Sequence, residues 1–181
     1  MRRLTGNTTI SLLALALIAG APGCKRSPKR VQVEATEETS TSLATMVHVA
    51  DPRASVQLVK GFYDVEQNAW RWTMQKFSVT LRPPAGSAQK GAVLRVQFAI
   101  PDPVIEKLKS IRLAANVEGV PLEGQEYTKP GEQVYTAEVP AKALGAEAVV
   151  VDFALDKALM PGASDQRELG VVVSTIGFEA K

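Results

Sequence analysis

Three stretches of this chain alternate apolar and polar residues with a period of two, and between them the chain is broken by proline and glycine. Leu94, Val96, Phe98 and Ile100 alternate with Arg95, Gln97 and Ala99. Ile111, Leu113, Ala115 and Val117 alternate with Arg112, Ala114 and Asn116. Val149, Val151, Phe153 and Leu155 alternate with Val150, Asp152 and Ala154. Side chains on a strand point to opposite faces in turn, so this pattern describes strands with one buried face. Further strands are expected over residues 56–63, 70–73, 77–81, 134–139 and 169–178. Turn signals stand at Pro83-Pro84-Ala85-Gly86, Glu118-Gly119, Lys129-Pro130-Gly131-Glu132 and Pro161-Gly162-Ala163-Ser164-Asp165. Short helical turns are expected near residues 102–109 and 140–144. Many short strands without alternating long helices predict an all-β fold, an antiparallel, jelly-roll-like β-sandwich. A small closed barrel is the second choice.

One phase detail adds a constraint. Trp70, Trp72 and Met74 share one parity, whereas Phe77, Val79 and Leu81 share the other. A strand changes parity only by taking in an extra residue, so a bulge or tight turn is expected near residues 74–76.

The N-terminus follows a different logic. Arg2 and Arg3 precede the apolar run Ile10-Ser11-Leu12-Leu13-Ala14-Leu15-Ala16-Leu17-Ile18-Ala19, and Gly20-Ala21-Pro22-Gly23-Cys24 closes it. A basic start, a short apolar core and a small-residue exit form an export signal. The run is shorter than the roughly 20 apolar residues of a spanning helix. Ala21-Pro22-Gly23-Cys24 resembles the lipobox of bacterial lipoproteins, which implies cleavage before Cys24 and acylation of its thiol. The match departs from the usual pattern at Ala21 and Pro22. An ordinary cleaved signal peptide and an uncleaved anchor are the alternatives. Cys24 is the only cysteine of the chain. A lipidated Cys24 leaves no thiol for disulfides, metal binding or nucleophilic catalysis.

The expected organisation is therefore a signal peptide over residues 1–23, a lipid-anchored flexible tether over 24–47 and a β-sandwich over 48–181. The tether begins with Lys25-Arg26-Ser27-Pro28-Lys29-Arg30 and continues through a polar run from Glu34 to Ser42 that has little to bury. The expected location is the bacterial cell envelope, with the membrane as partner through the lipid. Lys25 rather than Asp after the cysteine favours the outer membrane over the inner. The chain holds 21 Lys and Arg against 19 Asp and Glu. Loss of Arg2 and Arg3 with the signal leaves no net charge, which argues against a nucleic-acid partner.

Catalytic chemistry is sparsely supplied. The single histidine, His48, lies at the tether edge. There is no nucleophile elbow, no phosphate loop and no metal-ligand spacing, so no catalytic residue, metal or cofactor is assigned. Carboxylates are plentiful, and a glycosidase needs two that face each other, a relation the sequence does not reveal.

The richest segment is Gly61-Phe62-Tyr63-Asp64-Val65-Glu66-Gln67-Asn68-Ala69-Trp70-Arg71-Trp72-Thr73, which holds both tryptophans. Read as a binding surface, Trp70 and Trp72 form a platform for a sugar ring, with Tyr63, Glu66 and Arg71 supplying hydrogen bonds. Read as packing, the tryptophans fill the core, as large aromatics usually do. Arg71 is opposite in phase to both. A second segment runs from Asp156 to Gly170. In it Asp165 and Arg167 flank a turn, either as a loop-bracing ion pair or as a contact for a sugar or partner.

Together the two segments resemble an accessory β-sandwich domain found beside bacterial cell-surface glycosyltransferases and as stand-alone envelope proteins. The matching positions are Gly61, Phe62, Glu66, Arg71, Trp72, Asp165, Arg167, Leu169 and Gly170, and the resemblance covers about residues 56–179. It implies a non-catalytic module associated with carbohydrate. The expectation is thus an envelope lipoprotein whose sandwich binds or organises cell-surface glycan. An assembly factor that binds another envelope protein comes second, and a small glycan hydrolase third.

Overall fold

The computed structural model describes residues 42–163 and 165–181. The expected signal peptide, Cys24 and most of the expected tether lie outside the described residues. Among those described, ten strands form one hydrogen-bonded sheet: β1 (Met46–His48), β2 (Leu58–Glu66), β3 (Trp70–Leu81), β4 (Ala92–Ile100), β5 (Ile111–Val117), β6 (Val120–Pro121), β7 (Gln125–Tyr127), β8 (Gly131–Val139), β9 (Val149–Leu155) and β10 (Val172–Ala180). The main path runs β6-β5-β9-β3-β10-β4-β8, with β1 on β10, β2 on β3 and β7 on β5. Every pairing is antiparallel. Two short helices, α1 (Ser87–Lys90) and α2 (Asp102–Leu108), and two 3₁₀ turns complete the fold.

The sheet curls because β3 changes partner along its length. Its second half pairs with β9, from Lys76↔Ala154 to Leu81↔Val149, while Arg71 and Trp72 pair with β10 at Val173 and Val172. One layer therefore contains β2, β3, β9 and β5, and the other β10, β4 and β8. Alternating residues meet between them: Leu94, Val96 and Phe98 of β4, Ile111 and Leu113 of β5, Val151 and Phe153 of β9 are all buried. Phe77 stacks on Phe153 with ring centres 4.8 Å apart. Where the layers meet at β7 and β8, side chains replace the ladder. The Tyr127 hydroxyl donates to the Val134 carbonyl (3.2 Å), and Gln125 Nε2 donates to that of Thr136 (2.6 Å). An otherwise open edge is thereby occupied. The all-β antiparallel architecture expected from the alternation is the one observed.

The bulge expected near residues 74–76 is present, but not as a change of phase: Thr73 and Phe77 are both buried, and Trp70 and Trp72 lie on the opposite, outer face. The β2–β3 register shifts between Lys60↔Ser78 and Phe62↔Thr73, so residues 74–77 stand opposite Gly61 alone. Gly61 sits at φ +77°, and a methyl group there would lie 2.1 Å from the Lys76 carbonyl oxygen. The bulge needs a residue with no Cβ at the crossing point.

Three boundaries differ from expectation. The fold starts before residue 48: Met46 pairs with Gly177, and Val47 is 1% exposed. Buried Gln57 explains why, since its Nε2 donates to the carbonyls of Ala44 (3.1 Å) and Thr80 (2.8 Å) and its Oε1 accepts from Ala44 N (2.9 Å). Residues 52–57 form a 3₁₀ turn, not the start of a strand. Asp51 caps it by accepting from Arg53 N, and Pro52 begins it. At the other end, Leu169 joins Leu159 in an isolated bridge, and β10 begins at Val172. His48 lies exposed on β1, with Nδ1 3.2 Å from Thr175 Oγ1.

Candidate functional site

Cross-strand register builds a surface at one end of the β10–β4–β8 layer. Trp72 is the partner of Val172, Val172 of Ala99, and Ala99 of Glu132, a single row across β3, β10, β4 and β8. Their chain neighbours Thr73, Val173 and Phe98 are buried, so this row lies on the outer face. Small residues stand mid-row and large ones at its ends, and the result is a hollow. It measures about 300 Å³ and is lined by Glu66, Trp70, Trp72, Ala99, Pro101, Glu132, Val172 and Ser174. Both tryptophans are half-buried, and Trp72 also packs against the core.

The tight β2–β3 connection holds this wall. Gln67 and Asn68 adopt φ of 50° and 54°, and Glu66 pairs with Trp70 across the turn. That pairing brings a carboxylate beside the aromatic rings. Glu66 Oε1 in turn accepts from Arg167 Nη1 at 2.8 Å. The same guanidinium grips Asp165 through Nε (3.1 Å to Oδ1) and Nη2 (2.9 Å to Oδ2), and its Cζ lies 5.2 Å from the centre of the Tyr63 ring. Hydrogen bonding to Arg167 holds the Asp165 carboxyl below its ordinary range. Reciprocal bonds to Asp165 and then Glu66 raise Arg167.

The structure sorts the residues singled out from sequence. Glu66, Trp70 and Trp72 line the hollow. Tyr63 stands aside, its ring beneath Arg167. Arg71 is not brought to the surface of the groove: its Nε donates to the Val49 carbonyl (2.7 Å) and its Nη1 to that of Tyr63 (2.9 Å), tying β3 to the N-terminal segment and β2. Asp165 and Arg167 form the loop ion pair, and Arg167 carries it on to Glu66. Ala99, Pro101, Glu132, Val172 and Ser174 also line the hollow and carry no signal of their own in the sequence. Only knowledge of which strands pair, and in which register, assembles them.

The motif segments at residues 61–72 and 165–170 converge on this same corner. Gly170 lies so close to β3 that a Cβ would meet Thr73 Oγ1 and the Met74 carbonyl, each at 2.8 Å. Among the described residues, no group of three or more His, Cys, Asp and Glu could hold a metal ion.

No family model matches the sequence, and no curated relative matches it. Among solved structures, the chain is similar to the CBM36-1 domain of a multidomain xylanase from the hindgut metagenome of Trinervitermes trinervoides. The TM-score is 0.40 at 9% identity, covering 76% of this chain and 97% of that one. A likeness that distant says nothing of ligand or site.

Proposed function

We propose that this chain is a non-catalytic envelope protein whose β-sandwich binds cell-surface glycan through the Trp70–Trp72 hollow. The observation that carries the reading is two half-buried tryptophans on the same outer face, beside Glu66, Glu132 and Ser174. Sugar faces carry C–H groups that stack on aromatic rings, and their hydroxyls need fixed polar partners at the rim. Val172 and Ala99 keep the floor low enough for a ring to settle between the walls. Glu66 and Glu132 give the hollow acidic character, which disfavours polysaccharides bearing carboxylates or phosphates. Glu66 is committed to Arg167 and Glu132 stands exposed on the rim, an arrangement that suits hydrogen bonding to hydroxyls better than bond cleavage.

The same reading places a lipid anchor at Cys24. The described chain enters the fold near Thr45, whose carbonyl accepts from Phe178 N, whereas the hollow lies at Val172. The six residue steps from Val172 to Phe178 span roughly 20 Å at about 3.3 Å each. Within the described residues, chain entry and the hollow thus stand towards opposite ends of β10. Intact mass of the membrane-extracted protein tests the anchor: residues 1–23 lost and acyl mass gained supports it, and a free Cys24 thiol contradicts it.

A second reading, an assembly factor that binds an envelope protein, draws on Val56 and Val59, which are 67% and 54% exposed beside edge strand β2. The deciding experiment is retention of the full chain, in a sugar-free detergent, on peptidoglycan and surface polysaccharides. Retention lost in Trp70→Ala supports glycan binding. No retention of folded wild type turns the assignment to the protein partner, and cleavage of a retained polysaccharide overturns the non-catalytic reading.

A further inference from the structure

The hollow at Trp70 has a neighbour. A second depression of about 220 Å³ is lined by Trp72, Pro101, Pro103, Val104, Lys107, Leu159, Met160, Gly162, Asp165, Arg167 and Leu169. Trp72 and Pro101 line both. So does the Glu66–Arg167 ion pair, with its carboxylate in the first hollow and its guanidinium in the second. The indole of Trp72 is therefore a shared sill, flanked by Pro101 and by a charged pair that links the two spaces.

The second depression is itself a built surface. Its floor is Val104, Leu159 and Leu169, all buried or half-buried. Its rim carries Met160, an apolar side chain left 69% exposed. Methionine on a surface gives a pliable apolar contact that fits more than one ring orientation. Size points the same way: pockets that hold small ligands measure roughly 300–1,000 Å³. The first hollow stands at the bottom of that range and the second below it, while the two together fall within it.

We infer that the two hollows are consecutive subsites for one linear glycan, which crosses the Trp72 sill and is held along its chain rather than by its end. This rests on the glycan-binding reading and adds ligand length and direction to it. Trp70 and Trp72 stack units in the first subsite. Trp72 and Met160 contact units in the second, where Lys107 and Arg167 offer donors to hydroxyls.

The test is titration of the full chain, in a sugar-free detergent, with chito-, cello- and xylo-oligosaccharides of one to six units. In the series that binds, affinity should rise at least tenfold from the disaccharide to the tetrasaccharide and then level off. Met160→Asp, at an exposed position that the fold does not need, should remove most of that rise and leave disaccharide affinity unchanged. Trp70→Ala should weaken every length. Affinity already complete at the disaccharide, with Met160→Asp silent, overturns the second subsite and leaves the single hollow standing. Absence of binding by all three series to a folded protein overturns the extension and the glycan reading together.

Discussion

Glu66 and Arg167 lie 101 residues apart in sequence and meet at 2.8 Å, closing the loop before β10 onto the end of β2. Both side chains keep more than a third of their surface in water, so the pair alone adds little to stability. Its value is positional, because Arg167 also grips Asp165 and covers Tyr63. Arg167→Ala should lower the melting temperature by only about 2–4 °C, the effect of roughly 1 kcal/mol in a domain of this size. Glycan affinity should fall more than that small loss of stability implies. Thermal melts run alongside binding titrations separate the two effects.

Gly61 and Gly86 share nearly the same backbone angle, φ +77° and +79°, yet only one is hemmed in. A Cβ at Gly86 meets nothing within 4 Å, while at Gly61 it would strike the Lys76 carbonyl and Phe77. Gly86→Ala should cost about 1 kcal/mol, the penalty of a left-handed alanine. Gly61→Ala should cost several times as much, because β2 must move off the bulge that lets β3 change partners. Chemical denaturation of the two variants checks the contrast.

Tyr127 and Tyr135 supply the alkaline limit of the fold. Burial is the main cause pushing each up to about 12, from 10.0. The folded state thus holds these protons more tightly than the unfolded chain does. Their contribution is complete below pH 10 and declines as pH rises from 10 towards 12. The Tyr135 hydroxyl donates to the Glu123 carbonyl at 2.8 Å and ionisation removes that donor. Denaturation midpoints measured from pH 8 to 12 should fall above pH 10, and Tyr135→Phe should flatten the fall while starting from lower stability.

The core was legible because a buried strand face writes itself as alternation: β4, β5 and β9 appear in the sequence almost residue for residue. The position of the bulge was expected on an argument that fails: Trp72 and Phe77 face opposite sides of β3, and the irregularity lies in the β2–β3 register at Gly61. Gln57 was not legible. A polar residue between Val56 and Leu58, in a segment expected to be a strand, gives no sign that it will be buried as a three-way clamp on Ala44 and Thr80. The candidate site was legible by half. Glu66, Trp70 and Trp72 cluster in sequence, whereas Ala99, Glu132 and Val172 join them only through the register of three ladders. Arg71 was drawn into the site by proximity to the tryptophans, and its phase sends it to the carbonyls of Val49 and Tyr63 instead.

Trp70 and Trp72 are the only two tryptophans in the chain, and both line the first hollow, so indole fluorescence reports on that hollow and on the Trp72 sill it shares with the second. The most direct test is acrylamide quenching of the full chain with and without peptidoglycan glycan strands or surface polysaccharide. A glycan seated on the rings should shift emission to the blue and reduce quenching severalfold, with the protection lost in Trp70→Ala. A folded protein whose emission and quenching stay the same with every polysaccharide would contradict the claim that this aromatic hollow is a glycan-binding site.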